Sequence, residues 1–551
     1  MDVLGIGVDG LLGRLVVAAV VLSLLGSLLL VRRLDHPGGR YGHGLRSRLL
    51  LGIPWGTLVA VALVLSFYLV VQRGFVAPND PLYVPFTSWS YAYPLGVLTA
   101  PFAHQDLGHV TGNLIGTLAL APLAEYAFSH FPTERGSAAF TSWRTNPFVR
   151  ALVLFPGGVV GVGLLTSLFA WGPIIGFSGV VFAFGGFALV RYPLATVVAL
   201  VARDLIGTLY YTLRDPIVTA SAGPSYGPPW WAGIAIQGHL LGFLLGATLA
   251  VAIVGRRRSA EHPSGLRLWL GTVLAGTNLT IWAIWWYGEG QSYVLYRGLG
   301  LVLVVVLAGL LAAATRASDD ALVGGVSRRQ VGIAALALPI LTMGFVAVPV
   351  NATVVNDADL PGEAIDVAGY QVTYAEGVPN RRVRAIDLPG VEAATNVTAS
   401  GVIVVDAERE VWTETVSAGS LSYWGRGTTV VGGLDRRVIV EAIRRGWSTV
   451  GGPTVYQVAL AVSGGHRQWV FASQPATAGP TVAGTNVTIR AGNGTFRLVA
   501  TRGGDRLDAD PVPPINGSAR LGPLRIVHRR GALIAHHDDT VVRIATRETY
   551  A

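Results

Sequence analysis

A serine flanked by glycines is the first candidate for chemistry in this chain. The motif Gly176-Phe177-Ser178-Gly179 opens an apolar stretch that is long enough to cross a membrane. The two glycines leave room for a substrate backbone to approach the hydroxyl of Ser178. A surface of small residues for helix packing is the competing interpretation of the motif. A nucleophile would also need a base and oxyanion donors from elsewhere in the chain.

A histidine in a second apolar stretch could serve as that base. His239 belongs to a run in which Gly238, Gly242 and Gly246 repeat every four residues. This repeat predicts a flat helix face that allows a close approach to the helix of Ser178. An ionisable residue within a span is a functional candidate by default, although a backbone carbonyl or a water cavity could also satisfy it.

A third polar group, His104, His109 and Asn113, begins another predicted span. His109 and Asn113 are four residues apart and therefore share a helix face. Both side chains can donate hydrogen bonds, which suits an oxyanion site, although polar helix ends that face water carry similar residues. Zinc is disfavoured because no HExxH motif and no acidic third ligand is evident. We expect neither a metal nor another cofactor.

Membrane helices must bring these residues together, and the composition predicts such helices. The chain of 551 residues has a mean hydropathy of +0.51, and 13% of its residues are charged. Soluble proteins of this length are rarely so apolar. Apolar stretches of about 20 residues, enough to cross the hydrocarbon core, recur up to residue 350 and not beyond it. We place ten spans at 11–31, 49–71, 107–128, 150–171, 174–192, 195–213, 230–254, 267–286, 293–315 and 330–350.

Arginine sets the expected orientation of these spans. All basic residues are arginines, and they give the chain a net charge of +9. Arginines cluster in alternate loops, and positive loops stay in the cytoplasm. We therefore expect the N-terminus outside, ten crossings and the C-terminal region outside. The scattered arginines form no basic block with interleaved aromatic residues, so a nucleic-acid partner is not expected.

The predicted sixth span differs from the others because it carries charge near its middle. Arg203 and Asp204 are adjacent there. They could pair with each other, face the interior of the bundle, or mark an irregular helix.

The C-terminal region, 351–551, has the pattern of a β-rich domain. Short runs of Val, Ile, Thr and Tyr alternate with Gly, Pro, Asn and Asp, which predicts one or two sandwich-like antiparallel domains. Residues 434–447 form an exception that we interpret as a helix. The chain has no cysteine, so packing alone must hold an exported domain together. Its partner is not evident from the sequence.

Sequons for N-glycosylation give independent support for an exterior C-terminal region. Five of its seven asparagines begin Asn-x-Ser/Thr, which is more than chance suggests. Five exterior sequons, in a chain that has no cysteine and no lysine, favour a prokaryotic cell membrane. An archaeal membrane is included in this expectation. The candidate acceptors are Asn351, Asn396, Asn486, Asn493 and Asn516.

The three polar groups together resemble the rhomboid family of intramembrane serine proteases. The resemblance covers roughly residues 49–255, a core of six spans. Each motif is common alone, and the combination is specific. The motifs are His104-x4-His109-x3-Asn113, Gly176-x-Ser178-Gly179 and His239-x2-Gly242-x3-Gly246.

The resemblance implies a role for each matching residue. Ser178 would be the nucleophile and His239 the general base, in a dyad without aspartate. The backbone N–H of Ser178 would form the oxyanion hole together with His109 and Asn113, while His104 would support the active-site shape. Two further positions are implied: Glu125 as a polar anchor at the inner end of its helix, and Phe182, where the family often has tyrosine, as a ring that stacks on His239.

The expected fold is a polytopic α-helical membrane protein with a C-terminal, mostly-β domain outside the cytoplasm. Four parts are predicted: an N-terminal helix with a cytoplasmic loop (1–48), a six-helix protease core (49–255), three more helices (256–350) and the β-rich domain (351–551). The expected activity is hydrolysis of peptide bonds in transmembrane proteins within the bilayer. A catalytically silent rhomboid-like protein that binds membrane clients is the alternative. A transporter or receptor would predict inverted repeats and paired intramembrane charges, which are not clear in the sequence.

Overall fold

The computed structural model describes most of the chain as two compact units. One is helical and comprises Met1–Pro224, Trp230–Trp286 and Tyr293–Thr353, while the other consists mainly of Val354–Ala551. The boundary lies within a few residues of the predicted one at 350/351. The structure describes residues 8–35, 40–132, 135–218, 228–254, 263–288, 292–318, 320–355, 360, 362–381 and 397–551.

Twelve helices form the described part of the helical unit, and each of the ten predicted spans contains one. Seven are long and apolar enough to cross a membrane, and Trp55–Val71 and Ser178–Arg191 are shorter apolar helices. The helices are α1 (Val8–Asp35), α2 (Arg40–Arg48), α3 (Trp55–Val71), α4 (Pro94–Thr99), α5 (Leu107–Phe128), α6 (Pro147–Phe169), α7 (Ser178–Arg191), α8 (Pro193–Arg214), α9 (Ile236–Val254), α10 (Gly265–Asn278), α11 (Arg297–Arg316) and α12 (Arg328–Asn351).

This arrangement confirms the predicted fold class of a six-helix core with additional helices. The core comprises α3 and α5 to α9, while α1, α10, α11 and α12 are the additional helices. A continuous apolar core fills the bundle, with Leu120, Phe177, Leu189, Leu244 and others fully buried. The pair Arg203–Asp204 does not interrupt α8, so the alternative of an irregular helix is wrong.

Several predicted spans begin or end at other residues in the structure. The span predicted at 174–192 becomes helical only at Ser178, because the segment before it forms a turn that contains Gly176 at φ +116°. The span predicted at 267–286 stops being helical at Asn278. The chain then forms turns and the short strands β1 (Trp285–Tyr287) and β2 (Tyr293–Leu295), and a second small hairpin, β3 (Ala321–Val323) with β4 (Val326–Ser327), precedes α12.

The second unit is antiparallel β, as predicted. One sheet has the order β5-β6-β7-β8 and a second has the order β13-β14-β15-β16. The largest has the order β12-β11-β10-β20-β19-β18-β17, with β9 also paired to β10. The elements are β5 (Ala364–Val367), β6 (Tyr370–Pro379), β7 (Thr398–Asp406), β8 (Val411–Ser417), helix α13 (Ala418–Trp424), β9 (Arg426–Gly432), β10 (Arg437–Thr449), β11 (Thr454–Val462), β12 (Gln468–Ala472), β13 (Ala476–Thr477), β14 (Asn486–Gly492), β15 (Thr495–Arg502), β16 (Asp505–Pro511), β17 (Ser518–Leu521), β18 (Leu524–Arg529), β19 (Ala532–His537) and β20 (Thr540–Arg547).

The predicted helix at 434–447 is wrong, because this segment is the central strand β10. Val438 pairs with Val431 of β9, and Trp447 pairs with both Val455 of β11 and Arg547 of β20. Sheet partners on both edges satisfy the backbone of this segment, so tertiary pairing overrides its mixed local propensity.

Candidate active site

Ser178 is the first residue of α7, and the turn before it depends on glycine. Gly176 has φ +116° and donates its N–H to the carbonyl of Ala100 at 2.9 Å. A Cβ at this position would lie 2.6 Å from Nε2 of His109. Positive φ and the close approach of a side chain both exclude larger residues here. The same turn therefore presents Ser178 at a helix N-terminus, where backbone N–H groups lack partners within the helix.

His239 of α9 contacts Ser178 directly. Its Nε2 lies 2.8 Å from Oγ of Ser178. The ring of Phe182, one turn further along α7, stacks on the imidazole with centroids 4.1 Å apart and 20° between the planes. In the described part of the chain, the buried Nδ1 of His239 has no hydrogen-bond partner. No described carboxylate therefore orients this histidine, and the stacked phenyl ring fixes its plane.

Close contact between α7 and α9 makes the hydrogen bond possible. A Cβ on Gly242 would lie 2.0 Å from the carbonyl oxygen of Gly179, and one on Gly246 would lie 2.0 Å from that of Ala183. These two glycines form the flat face that the sequence predicts. Gly238 differs, because a Cβ there would meet only the side chain of Ala170, at an ordinary 3.5 Å.

His109 and Asn113 approach the site from α5. The helix begins after Asp106, whose Oδ1 accepts the N–H of His109 at 2.8 Å, so the N-cap fixes where the histidine lies. Asn113 is 7% exposed, and its Nδ2 has no partner among the residues that the structure describes. That nitrogen would lie 3.5 Å from a Cβ on Gly176. A buried donor without a partner, next to the turn that precedes Ser178, is available to donate a hydrogen bond to a group of the substrate.

His104 holds the loop around the site. Gln72, at the end of α3, accepts the N–H of His104 at 2.8 Å and donates to its carbonyl at 2.7 Å. Nε2 of His104 accepts the N–H of Phe177 at 3.4 Å, and its ring packs edge-on against His109 with centroids 5.0 Å apart. His104 therefore connects the loop before α5 to the residue before Ser178.

Glu125 lies at the opposite end of α5, where it caps α3. Its carboxylate accepts the backbone N–H groups of Gly56 and Thr57 at 2.8 and 2.7 Å and the hydroxyl of Thr57 at 2.8 Å. His130 contacts the same carboxylate through Nε2 at 2.7 Å and accepts the N–H of Leu50 at Nδ1. Because Nδ1 accepts, Nε2 carries the proton and donates it to Glu125.

Several of these supporting residues have no signature in the sequence. Gln72 and His130 are single polar residues whose importance depends on tertiary contacts 32 and 80 residues away. Asp106 carries a recognisable signal, because an Asp three residues before a helical His is a typical N-cap. Within the described chain, no three His, Cys, Asp or Glu residues are grouped so that they could hold a metal ion.

The candidate glycosylation sites differ in their surroundings. Asn351 is buried at the end of α12, and its amide donates to the carbonyls of Leu168 and Ala170, so the folded protein does not present it as an acceptor. Asn493 and Asn516 are exposed, Asn486 is half-buried, and Asn396 lies outside the described residues. Glycosylation of the four remaining sequons stays a prediction.

Comparison with known protein families gives one match, within the helical unit. Residues 92–256 match the family model of the Rhomboid domain. A comparison with curated proteins gave no match, and neither did one with solved structures. The matched segment runs from the loop before α4 to just beyond α9, and it contains every residue of the three sequence motifs. The chain therefore contains a Rhomboid domain, over residues 92–256.

Proposed function

We propose that the protein is an intramembrane serine endopeptidase that uses Ser178 and His239 to hydrolyse peptide bonds in or near transmembrane segments of other proteins. The observation that carries the proposal is the contact of 2.8 Å between Oγ of Ser178 and Nε2 of His239. A serine hydroxyl is a weak nucleophile unless a base lies within hydrogen-bond reach, and this contact places one there.

The positions of these side chains support the following reaction. Ser178 attacks the scissile carbonyl carbon while His239 takes the hydroxyl proton at Nε2. The carbonyl oxygen becomes an oxyanion in the tetrahedral intermediate. His239 then gives the proton to the leaving amine as the C–N bond breaks, which leaves an acyl-enzyme on Ser178. Water, deprotonated by His239, attacks this ester and releases the acid and the free serine.

The oxyanion would be stabilised by donors that are already in place. The backbone N–H of Ser178, Nδ2 of Asn113 and the ring of His109 surround the turn at Gly176. Preorganised donors of this kind cost little reorganisation during the reaction, and each is worth about 2.7–4 kcal/mol of transition-state stabilisation.

No cofactor is required by this chemistry, and substrates would reach the site laterally from the bilayer. We place the N-terminus and the C-terminal β domain on the exterior side, because the arginine-rich loops then lie in the cytoplasm. Ser178, His239 and His109 all belong to the same end of the bundle and would face that side.

The test is cleavage of a single-span reporter in liposomes by the wild type and by Ser178→Ala. We expect cleavage by the wild type and none by the variant. Ser167→Ala is the matched control, because Ser167 is also a buried membrane serine but bonds to the carbonyl of Val97. Equal cleavage by wild type and Ser178→Ala would contradict the proposal.

A serine-reactive fluorophosphonate probe separates the protease from a catalytically silent client-binder. An active dyad labels at Ser178, and labelling is lost in Ser178→Ala. Absence of both labelling and cleavage in the folded wild type would favour the silent alternative.

A further inference from the structure

The segment between α6 and α7, residues 170–177, leads directly to Ser178, and we call it the α6–α7 connection. Every residue of this connection is described, and none of them belongs to a helix or a named strand. The last carbonyl groups of α6, just before it, have no partners within their helix. The shape of the connection therefore depends on bonds from other parts of the chain.

Asn351, the last residue of α12, supplies three of these bonds. Its Nδ2 donates to the carbonyl of Leu168 at 3.2 Å and to that of Ala170 at 2.7 Å. Its Oδ1 accepts the N–H of Gly172 at 3.1 Å. Asn351 is 4% exposed, so these bonds are shielded from water. Both donors of one amide thus pair carbonyls at the end of α6, and its oxygen holds the chain beyond them.

The backbone of Asn351 joins a third segment to this arrangement. Its carbonyl accepts the N–H of Tyr91 at 2.8 Å and the hydroxyl of Ser90 at 3.1 Å, both from the loop before α4. The same loop bonds directly to the α6–α7 connection, because Ser88 donates its N–H to the carbonyl of Ile174 at 3.0 Å. Asn351 therefore fixes the loop and the connection relative to each other.

A second amide holds the same stretch from the helix of the candidate base. Gln237 of α9 accepts the N–H of Trp171 at Oε1 at 2.8 Å and donates from Nε2 to the carbonyl of Phe169 at 3.0 Å. It precedes His239 by two residues. The start of the α6–α7 connection is thus held between an amide of the His239 helix and the amide of Asn351.

Further contacts tie α12 to the same place. Nε1 of Trp171 donates to the carbonyl of Met343, in the middle of α12, at 2.9 Å. A Cβ on Gly344 would lie 3.5 Å from the ring of Phe169, and α12 packs on both α6 and α9. The bonds of Asn351 therefore belong to a longer interface, although α12 lies outside the match to the Rhomboid domain.

We infer that Asn351 is a positioning residue for Ser178, so that α12 is part of the active-site architecture. This inference rests on the proposed function. The side-chain bonds of Asn351 go to the end of α6 and to the α6–α7 connection, and not to either member of the dyad. Its effect on the reaction is therefore exerted through the turn that presents the serine.

Loosening this connection would move Ser178 relative to His239 without removing any reacting group. Gln237 would still hold one side of the connection, so we expect a shift of the serine rather than unfolding of the site. A misplacement of about 1 Å can cost about a hundredfold in rate. Such a shift lowers the rate of the chemical step and leaves substrate binding largely intact.

The first test is fluorophosphonate labelling of Asn351→Leu in liposomes. Leucine has a similar volume and carries no charge, so the variant loses the three bonds without burying an ion. We expect about tenfold slower labelling of Ser178, and in reporter cleavage a lower kcat with KM little changed. Labelling at the wild-type rate in the folded variant would overturn the inference, as would a loss confined to KM. If Asn351→Leu does not fold, Asn351→Asp, which keeps the acceptor for Gly172, is measured in the same way.

Gly332→Ala is a control that loosens α12 elsewhere. A Cβ on Gly332 would lie 2.9 Å from the backbone nitrogen of Ala314 in α11, so this variant should also lose stability. At 1.5 Å per residue, Gly332 is roughly 28 Å from Asn351 along the helix. We expect labelling of Ser178 at the wild-type rate. Equally slow labelling in both variants would mean that general loosening of α12 explains the effect, and the inference would be wrong.

Thr353→Val is a control for the sequon that begins at Asn351. Every substitution of Asn351 removes this sequon together with the amide, whereas Thr353→Val removes the sequon and keeps the amide. We expect Thr353→Val to label at the wild-type rate. If it labels as slowly as Asn351→Leu, the effect belongs to the sequon and not to the bonds of Asn351.

A thiol readout separates this inference from the proposed function. The chain has no cysteine, so Ser178→Cys carries a single thiol, and its alkylation by iodoacetamide reports activation by His239 without any peptide cleavage. Ser178→Cys/His239→Ala gives the rate without activation. We expect Ser178→Cys/Asn351→Leu to react about tenfold more slowly than Ser178→Cys. This result would support the positioning role even if the wild type cleaved nothing. Equal alkylation rates with and without Asn351→Leu would overturn it, whatever the protease assay shows.

Discussion

Two buried polar clusters lie at opposite ends of α5, and they are built differently. The Glu125 cluster consists of Glu125, His130 and Arg150, and the side-chain nitrogen and oxygen atoms of all three are hydrogen-bonded. The Ser178 cluster consists of Ser178, His239, His104, His109 and Asn113. In the described chain, buried nitrogen atoms of His104, Asn113 and His239 have no partner.

The difference matches the two roles that we assign: stabilisation to the Glu125 cluster and, under the proposed function, catalysis to the Ser178 cluster. A buried polar atom without a partner costs about 1–3 kcal/mol, so a cluster that serves stability satisfies all of its members. A cluster that serves catalysis keeps donors free for charge that develops only in the transition state. Polarity alone does not distinguish the two clusters, because both contain histidines within the membrane region. What distinguishes them is whether all of their polar atoms have hydrogen-bond partners.

The largest expected effect is the loss of catalysis in the Ser178 cluster. His239→Ala should lower reporter cleavage by at least about a thousandfold, because no other described side chain contacts the Ser178 hydroxyl as a base. Thermal unfolding in detergent should change far less than cleavage does, because the loss of the contacts with Ser178 and Phe182 is partly offset by removal of the buried Nδ1, which has no partner in the described chain. A variant that unfolds far below the wild-type temperature would instead place His239 with the stabilising residues.

Glu125→Ala should have the opposite profile. It leaves His130, Thr57 and two backbone N–H groups without an acceptor, and we expect the free energy of unfolding to fall by about 3–5 kcal/mol. The molecules that remain folded should label with fluorophosphonate at the wild-type rate. Equal unfolding temperatures for Glu125→Ala and the wild type would contradict the structural role of this cluster.

Asn113→Ala should reduce cleavage without reducing stability. Loss of one oxyanion donor should cost about 2.7–4 kcal/mol in the transition state, a reduction of roughly a hundred- to a thousandfold. Steady-state kinetics should show the loss in kcat with KM little affected. A loss of the same size in the unfolding free energy would mean that Asn113 is a packing residue.

The smallest expected effect concerns two glycines of α9, whose alanine variants form a closely matched pair. Gly242→Ala would force a Cβ against the backbone of Gly179 and separate α7 from α9, so we expect a stability loss of about 1–3 kcal/mol or more. Gly238→Ala meets no close contact and should leave stability unchanged or raise it by up to about 1 kcal/mol. Unfolding measurements that rank the two variants in reverse would show that the helices do not pack as described.

The helical fold was largely predictable because hydrophobic length directly encodes membrane helices. The pairing of Ser178 with His239 was also predictable, since both are rare polar residues within apolar spans. The flat face of α9 was only partly predictable. Gly238, Gly242 and Gly246 look alike in sequence, but only the last two meet a neighbouring backbone.

The features that the sequence did not predict depend on contacts with distant parts of the chain. Gln72 and Asn351 are ordinary amides in the sequence, and only the fold brings them to loops of the candidate active site. Residues 434–447 became a strand because β9, β11 and β20 pair with it, which local composition does not reveal. The end of α10 at Asn278 could not be predicted either, because the apolar run of the sequence continues past Asn278 into turns and a short strand.

The central claim is most directly tested by measuring reporter cleavage in liposomes by Ser178→Ala, at the same amount of folded protein as the wild type. The account predicts cleavage by the wild type and only background cleavage by the variant, with equal unfolding temperatures for the two. Cleavage by the folded variant at the wild-type rate would show that the Ser178 cluster is not the catalytic centre.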